Sequence, residues 1–292
     1  MAIDDEDNID TFSQDPSMAS WSGKQTVQNI TKKCLQLESF IQSSSSSSLH
    51  NRQSTVPPIS IQGYLEVCKV TIPLYEHLFG KGSFIGKLLG RTTTRHINCV
   101  ARVTLEANNS LLLSTSPSAT ILPIPVALPS STIDLTTLST TSFTLQSLLL
   151  YERDISGMNY IRTNRLSACH TTLWLNRGMS FLQVLMEYMV DDHNPISTNP
   201  RACASAAYQV TLRPYHSLLL SGLFRAAVSF APTDRKAMFL AFGWNDEQRG
   251  KNDVLACTLA MKPITKRVQQ FLSQEGLDFP DKVGSPLSKK HS

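Results

Sequence analysis

One stretch constrains this chain more than any other. From Leu173 to Met186 it reads Leu-Trp-Leu-Asn-Arg-Gly-Met-Ser-Phe-Leu-Gln-Val-Leu-Met. Extended to Arg165–Val190, the pattern has helical period. Leu166, Cys169, Leu173, Phe181, Leu182, Leu185 and Met189 fall on one stripe, and Arg165, Thr171, Asn176, Arg177, Ser180, Gln183 and Glu187 lie mostly opposite. Trp174 stands at the edge of the stripe, with His170 one turn earlier on the same side. An edge-of-stripe indole offers a flat apolar face and one N–H, a combination that suits stacking against a ring; a large core residue is the plainer reading.

The rest of the chain is organised around helices of the same kind. The acidic, polar residues 1–20 have the composition of a disordered segment. Val27, Ile30, Cys34, Leu35, Leu37 and Phe40 predict a helix over 25–41, and the serine run from Ser43 to Ser48 followed by Val56-Pro57-Pro58 reads as a linker. Residues 1–59 are therefore expected to lie outside the ordered domain, which spans 60–280 and ends in a polar tail, 281–292. Tyr64 to Phe79 predicts a wide-faced helix kinked at Pro73. Residues 104–141, rich in Ser, Thr, Leu and Pro, predict an irregular insertion, because Pro117, Pro123, Pro125 and Pro129 exclude a long helix. Helices follow at Phe143–Arg153, Arg165–Val190, Arg201–Arg213, Tyr215–Phe230 and Arg235–Phe242. A last one runs from Asp253 to about Gln274, bent at Pro263. In the Tyr215–Phe230 helix, Leu219, Leu220, Leu223, Ala227 and Phe230 form the expected apolar face, led by His216. Few segments alternate with period two, so the domain reads as all-α.

Composition narrows the function classes. Charged residues make up 17% of the chain and the net charge is +4, too diffuse for a nucleic-acid partner. No apolar run is long enough to span a bilayer. The start of the chain, with Asp4, Glu6 and Asp7, is unlike a secretory signal. Cys34, Cys68, Cys99, Cys169, Cys203 and Cys257 are scattered singly, which favours buried thiols and a cytoplasmic location. His170, His193 and His216 lack metal-ligand spacing, and Asp191-Asp192-His193 reads as a polar loop. Gly80-Lys81-Gly82-Ser83 lacks the spacing of a phosphate-cradling loop. No nucleophile, base and orienter can be assembled, so neither an enzyme nor a cofactor is expected.

Several segments together resemble the glycolipid transfer protein family: Gly63-Tyr64-Leu65-Glu66-Val67-Cys68 through Leu78-Phe79-Gly80, Thr144-Leu145-Gln146 through Glu152, and above all Thr172 to Met186. Ala207-Tyr208, Tyr215-His216 and Ala226 to Pro232 follow in the family's order, and Phe271-Leu272-Ser273 with Gly276-Leu277-Asp278-Phe279 resembles the tail of its ceramide-1-phosphate branch. The resemblance implies an all-α two-layer sandwich that hides the chains of one sphingolipid between its layers. Each methylene withdrawn from water is worth about 0.8 kcal/mol, so a sixteen-carbon chain needs shelter on the order of 10 kcal/mol. By the resemblance, Trp174 stacks the first sugar and His216 hydrogen-bonds the ceramide amide carbonyl. Phe181, Leu185, Leu220 and Phe224 line the chain slot. Trp174 favours a sugar over a phosphate, while His170 occupies a position that is basic in ceramide-1-phosphate carriers. The implied protein is a monomer with transient peripheral membrane contact. Leu218 falls where relatives often carry a membrane-facing aromatic residue.

One departure stands out. The family's headgroup site begins with Asp-x-x-x-Asn or Asp-x-x-x-Lys after the glycine turn, yet no Asp or Glu occurs from Lys81 to Leu105. Possible registers place Gly90, Arg91 or Thr92 at the Asp position. Asp154-Ile155-Ser156-Gly157 resembles the motif but precedes the Trp174 helix. Lys87, Arg91 and Arg95 recur every four residues, so Arg91 and Arg95 are candidate headgroup contacts to an anionic lipid, or else a solvated helix face. Three readings stay open: a glycosylceramide carrier, a ceramide-1-phosphate carrier, and a sensor or adaptor that keeps the slot without transferring lipid.

Overall fold

The structure is a computed structural model that describes residues 21–47, 56–80, 84–114, 133–141 and 143–280. These residues form an all-α sandwich of ten α-helices with two short 3-10 turns. The only strand-like pairing among them is an isolated bridge between Ser60 and Thr144. The expected behaviour of residues 1–20 and 281–292 lies outside the described residues, as does the glycine turn at Lys81–Ser83.

The first helix, α1 (Gly23–Ser47), belongs to the core. Val27, Ile30, Cys34, Leu37 and Ile41 recur at helical spacing and are all buried. The expectation that residues 1–59 lie outside the domain is corrected by that packing. The helix also runs on into the serine run, as far as Ser47. Serine is a tolerable helix residue once an apolar stripe has anchored the preceding turns. α2 (Ile61–Val70) and α3 (Ile72–Phe79) are separated at Thr71, with Pro73 in the first turn of α3, where its missing N–H costs nothing. Gly80, at φ 96°, ends α3.

α4 (Phe84–Ser114) overturns part of the expected insertion. The helix continues past Thr104 because the first proline of that stretch comes only at Pro117, and Val100, Ala101, Val103 and Ala107 bury one face. Residues 115–132 lie outside the described region, and a 3-10 turn follows at Leu135–Thr140. α5 (Leu145–Thr163) opens with a reciprocal capping box between Thr144 and Ser147 and is broken at Gly157, φ 77°. The Gln146 side chain ties the Pro57–Ile59 segment to it, accepting from the Ile59 N–H and donating to the Pro57 carbonyl.

α6 (Ala168–Val190) is the helix that carries Trp174. It packs against α4, α5, α7 (Pro200–Thr211) and α10 (Glu247–Gln274). The polar side expected from sequence is therefore largely covered, with Arg165, Ser180 and Glu187 keeping some exposure. Thr171, Asn176, Arg177 and Gln183 are all buried. Most of their polar groups are met inside the protein, although Asn176 Oδ1 has no hydrogen-bond partner among the described residues. The Thr171 hydroxyl donates to the Ser167 carbonyl, the Asn176 amide donates to the Thr265 carbonyl, and Gln183 accepts from the Thr265 hydroxyl at 2.6 Å.

α8 (Leu218–Val228) begins later than expected, since the Tyr215-His216 pair precedes it rather than riding on it. Pro214 sits in a 3-10 turn, Arg213–Tyr215, and His216 is extended at φ −92°, ψ 139°. Ser217 caps the new helix by accepting from the Leu220 N–H. The shorter helix turns Leu219, Leu223 and Phe230 outward, so the apolar face expected of that segment is mostly exposed. α9 (Arg235–Ala241) and α10 complete the chain, with Pro263 inside α10.

The N-terminus of α6 is held by a buried carboxylate. Glu152, on α5, accepts from the Ala168 and Cys169 N–H groups, each at 2.8 Å. Burial pushes its pKa up, and those two hydrogen bonds together with Arg102 pull it back. Removing the carboxylate leaves two buried donors unpaired. Glu152→Ala is therefore expected to cost about 2–3 kcal/mol in urea unfolding, and Glu152→Gln less, because its one amide oxygen still accepts from one of the two N–H groups. Indistinguishable, negligible losses from both variants would show that the cap does not hold α6.

Candidate functional site

The site grows from three helices. α6 supplies Trp174, Leu175, Gly178, Met179 and Phe181. The segment before α8 supplies His216 and α8 itself Phe224, while α4 supplies Leu89, Thr92, Thr93 and His96. Cys68, Thr71, Tyr75 and Leu212 complete the wall of a largely apolar cavity of about 130 Å³. No acidic side chain lines it.

Trp174 and His216 come together, stacked with ring centroids 5.7 Å apart and planes 21° off parallel. His170 is beside Trp174 at 6.4 Å but is not part of the cavity wall. Deeper in, Phe224 lies flat on Tyr208 at 4.0 Å and edge-on to Phe181 at 5.3 Å and to Phe79 at 6.1 Å. Of the four candidate chain-lining residues, Phe181 and Phe224 reach the cavity. Leu185 is buried elsewhere in the core and Leu220 is half-buried outside the wall.

The basic candidates fall differently. Arg91 and Arg95 are on the exposed side of α4 and do not line the cavity. Helical geometry puts their neighbours there instead. Of the three registers, Thr92 is at the wall, one turn before His96, and Gly90 and Arg91 are not. His96 was missed in the sequence because nothing marks one histidine of a helix unless the facing helix is known.

Arg177 stands behind the stacked pair. Its guanidinium sits 3.5 Å from the Tyr215 ring centroid and 5.1 Å from that of Trp174. It also donates to Asp278 at 2.9 Å and to the Phe279 carbonyl. The C-terminal end of the described chain thus holds the residue that supports Tyr215, the immediate neighbour of His216. Tyr208 adds a polar contact, its hydroxyl 3.2 Å from His216 Nδ1 and 3.0 Å from the Ser221 hydroxyl.

Two cavity histidines are held neutral. Burial pushes His216 down to about 4, helped by the positive fields of Arg177 and Arg213. Burial also pushes His96 down to about 4, with His170 and Arg95 adding to it. Cys68 is driven the other way by burial, up to about 12, so its thiol stays protonated. Among the described residues, no group of three His, Cys, Asp or Glu side chains is placed to hold a metal.

The fold and the site define a class: an all-α two-layer sandwich with an apolar cavity closed at one end by a stacked Trp–His pair. Residues 130–242 match the family model for glycolipid transfer protein. The glycolipid transfer protein of Danio rerio is 35% identical over 95 residues, covering 30% of this chain and 42% of that protein. Glycolipid transfer protein 1 of Arabidopsis thaliana is 33% identical over 112 residues, 38% of this chain and 52% of its own length. The matched stretches thus span about half the length of these relatives. Among solved structures, the apo form of mouse ceramide-1-phosphate transfer protein superposes with a TM-score of 0.58 at 16% identity. It covers 89% of this chain and 99% of that one. The FAPP2 structure described as selecting simple glycosphingolipids with this fold gives 0.55 at 19% identity, covering 80% and 93%. Residues 130–242 are thus similar to the glycolipid transfer protein family, and the described helices share the fold of these solved structures.

The depressed histidines carry a pH prediction. A group whose folded pKa lies below its unfolded value of 6.5 contributes stability that is complete above 6.5 and is lost as pH falls toward the folded value. NMR titration of the His96 and His216 rings is expected to give midpoints near 4, and thermal stability is expected to decline between pH 6.5 and 4. Midpoints near 6.5 would show that the cavity is open to water.

Proposed function

We propose that the protein is a carrier that takes one ceramide-based lipid from a membrane, shelters its chains between the helical layers and delivers it to another membrane. The observation that carries this reading is the Trp174–His216 stack over an apolar cavity in this fold. The indole face suits a sugar ring, and His216 offers a polar contact beside it. Nothing in such a cycle requires covalent chemistry, a cofactor or a second copy of the chain.

The small size of the cavity supports a loading step in which its wall moves. At roughly 10–15 Å³ per water, a cavity with about 130 Å³ open to the centres of waters holds on the order of ten of them, room for a short stretch of one chain rather than two long ones. Phe224, wedged between Tyr208 and Phe181, fills the space that a chain needs. Loading therefore displaces Phe224 together with α8. That helix is suited to move, because its outward side is already apolar. Leu218 is 83% exposed and Leu219 69%. Seated in a bilayer interface, these side chains give the transient peripheral contact through which a lipid passes. Among the described residues no helix is long and apolar enough to cross a membrane.

Glycosylceramide is the preferred ligand class on the strength of Trp174. Ceramide-1-phosphate is the second reading, favoured by the exposed Arg91 and Arg95 on the helix that brings Thr92 and His96 to the cavity.

The test is native mass spectrometry after mixing the protein with vesicles of phosphatidylcholine containing glucosylceramide and ceramide-1-phosphate. A 1:1 glucosylceramide adduct is expected, reduced at least ten-fold in Trp174→Ala and in His216→Ala. Leu219→Glu is expected to slow transfer between vesicles several-fold while leaving capture of a short-chain, micelle-free glucosylceramide intact. A ceramide-1-phosphate adduct alone selects the second reading, and a folded protein with no adduct sinks both.

A further inference from the structure

The resemblance implies that His216 donates a hydrogen bond to the ceramide carbonyl; the hydrogen bonds around it reverse that role. Ser221, on α8, donates its hydroxyl proton to the Ser217 carbonyl one turn earlier, at 2.8 Å. With that proton committed, the 3.0 Å contact between Ser221 and Tyr208 is made by the Tyr208 hydroxyl donating to the Ser221 oxygen. The single proton of Tyr208 is then used as well. Its 3.2 Å contact with His216 Nδ1 is a hydrogen bond only if Nδ1 carries a proton and donates to the phenol oxygen.

The members of this relay are shielded from water. Tyr208 is 1% exposed, Ser221 4% and Ser217 8%. Water therefore has little access to supply a substitute partner and blur the direction of the relay. A neutral imidazole has one N–H and one bare nitrogen, so a proton on Nδ1 leaves Nε2 as an acceptor. The His216 ring lines a cavity that contains no carboxylate.

We propose that His216 is the hydrogen-bond acceptor of this site, its Nε2 taking an N–H or O–H of the lipid where relatives have an aspartate. Tyr208 and Ser221 are positioning residues that lock the proton on the far nitrogen. The proposal rests on the carrier reading for the identity of the ligand, but the tautomer belongs to the protein alone. The low titration point of His216 agrees with it, since the ring is neutral at pH 7.

Two measurements on the full chain separate these layers. Long-range 1H–15N correlation of the His216 ring at pH 7 is expected to show Nδ1 protonated and Nε2 bare. In Ser221→Ala the Tyr208 hydroxyl loses its acceptor and turns to His216, so the balance is expected to move toward the Nε2–H form. Tyr208→Phe, which keeps the stack on Phe224 and removes the hydroxyl, is expected to give a mixture of the two. A wild-type ring protonated on Nε2, or a Ser221→Ala ring unchanged from wild type, overturns the relay.

The second measurement compares vesicle capture of glucosylceramide with that of its N-methyl amide analogue, which keeps the carbonyl and loses the N–H. Capture of the analogue is expected to be about ten-fold weaker in the wild type and nearly equal to that of the parent in Ser221→Ala. Equal capture of both lipids by the wild type overturns acceptance of the amide N–H. Capture of neither lipid, with the Nδ1–H tautomer seen by NMR, overturns the glycosylceramide reading and the acceptor role toward its amide, and upholds the relay.

Discussion

The site is built around α6, which aims Trp174 and Phe181 and is packed against by α4, α5, α7 and α10. A helix in that position has to satisfy most of its polar groups within the protein, because Thr171, Asn176, Arg177 and Gln183 are shut away from bulk water. It does so at both ends and in the middle. The Glu152 carboxylate caps its first turn, Gln183 and Asn176 reach α10, and Arg177 spends its guanidinium on Asp278, the Phe279 carbonyl and two aromatic faces. Those fixtures leave α6 one orientation. Trp174, half-buried on its rim, is thereby set at the mouth of the cavity, and Phe181 is set two turns further in.

The contrast between α6 and α8 is the other organising fact. α8 is short and amphipathic with its apolar residues on the wrong side for a soluble helix, since Leu218, Leu219 and Leu223 face outward. Its inner side is held to the body by Phe224 and by the small polar groups of Ser217 and Ser221. An element with few deep apolar anchors opens at a lower free energy than one buried all round. A rigid platform facing a loosely seated flap is a reasonable division of labour for a cavity too small for its proposed cargo.

Much of this was legible in the sequence. The 3.6-residue period marked Arg165–Val190, and the absence of period-two segments excluded a sheet. Trp174 stood out as an edge residue before any partner was known. What failed did so for identifiable reasons. Periodicity alone assigns polar residues to solvent, so Gln183 and Arg177 were placed outside, although Gln183 meets Thr265 of α10 and Arg177 meets Asp278 and Phe279 beyond it. The serine run was read by composition, but a helix once started by Val27 to Ile41 carries poor formers along for another turn. Pro214 falls between the two expected helices Arg201–Arg213 and Tyr215–Phe230, yet the extended His216 ahead of a Ser217 cap depends on capping chemistry a few residues beyond it. The lining residues of α4 were the hardest to find. Thr92, Thr93 and His96 carry no motif, and only the packing of α4 against α6 selects them over Arg91 and Arg95.

That selection has an electrostatic consequence. A carboxylate at the wall of an empty, largely apolar cavity has to be desolvated whenever the cavity closes, and the cost is repaid only when a ligand supplies donors. Here the wall on α4 offers two hydroxyls and an imidazole that burial keeps uncharged, and the imidazole of His216 across from it is kept uncharged as well. The nearby cation, Arg177, is balanced by Asp278 and lies behind the aromatic rings. The site therefore has polarity without net charge, and it closes when empty without stranding an ion. A neutral acceptor is weaker than a carboxylate. For the proposed carrier, which would have to release what it binds, exchanging one for the other shifts the balance from holding the headgroup toward letting it go, and leaves most of the retention to the apolar contacts of the chains.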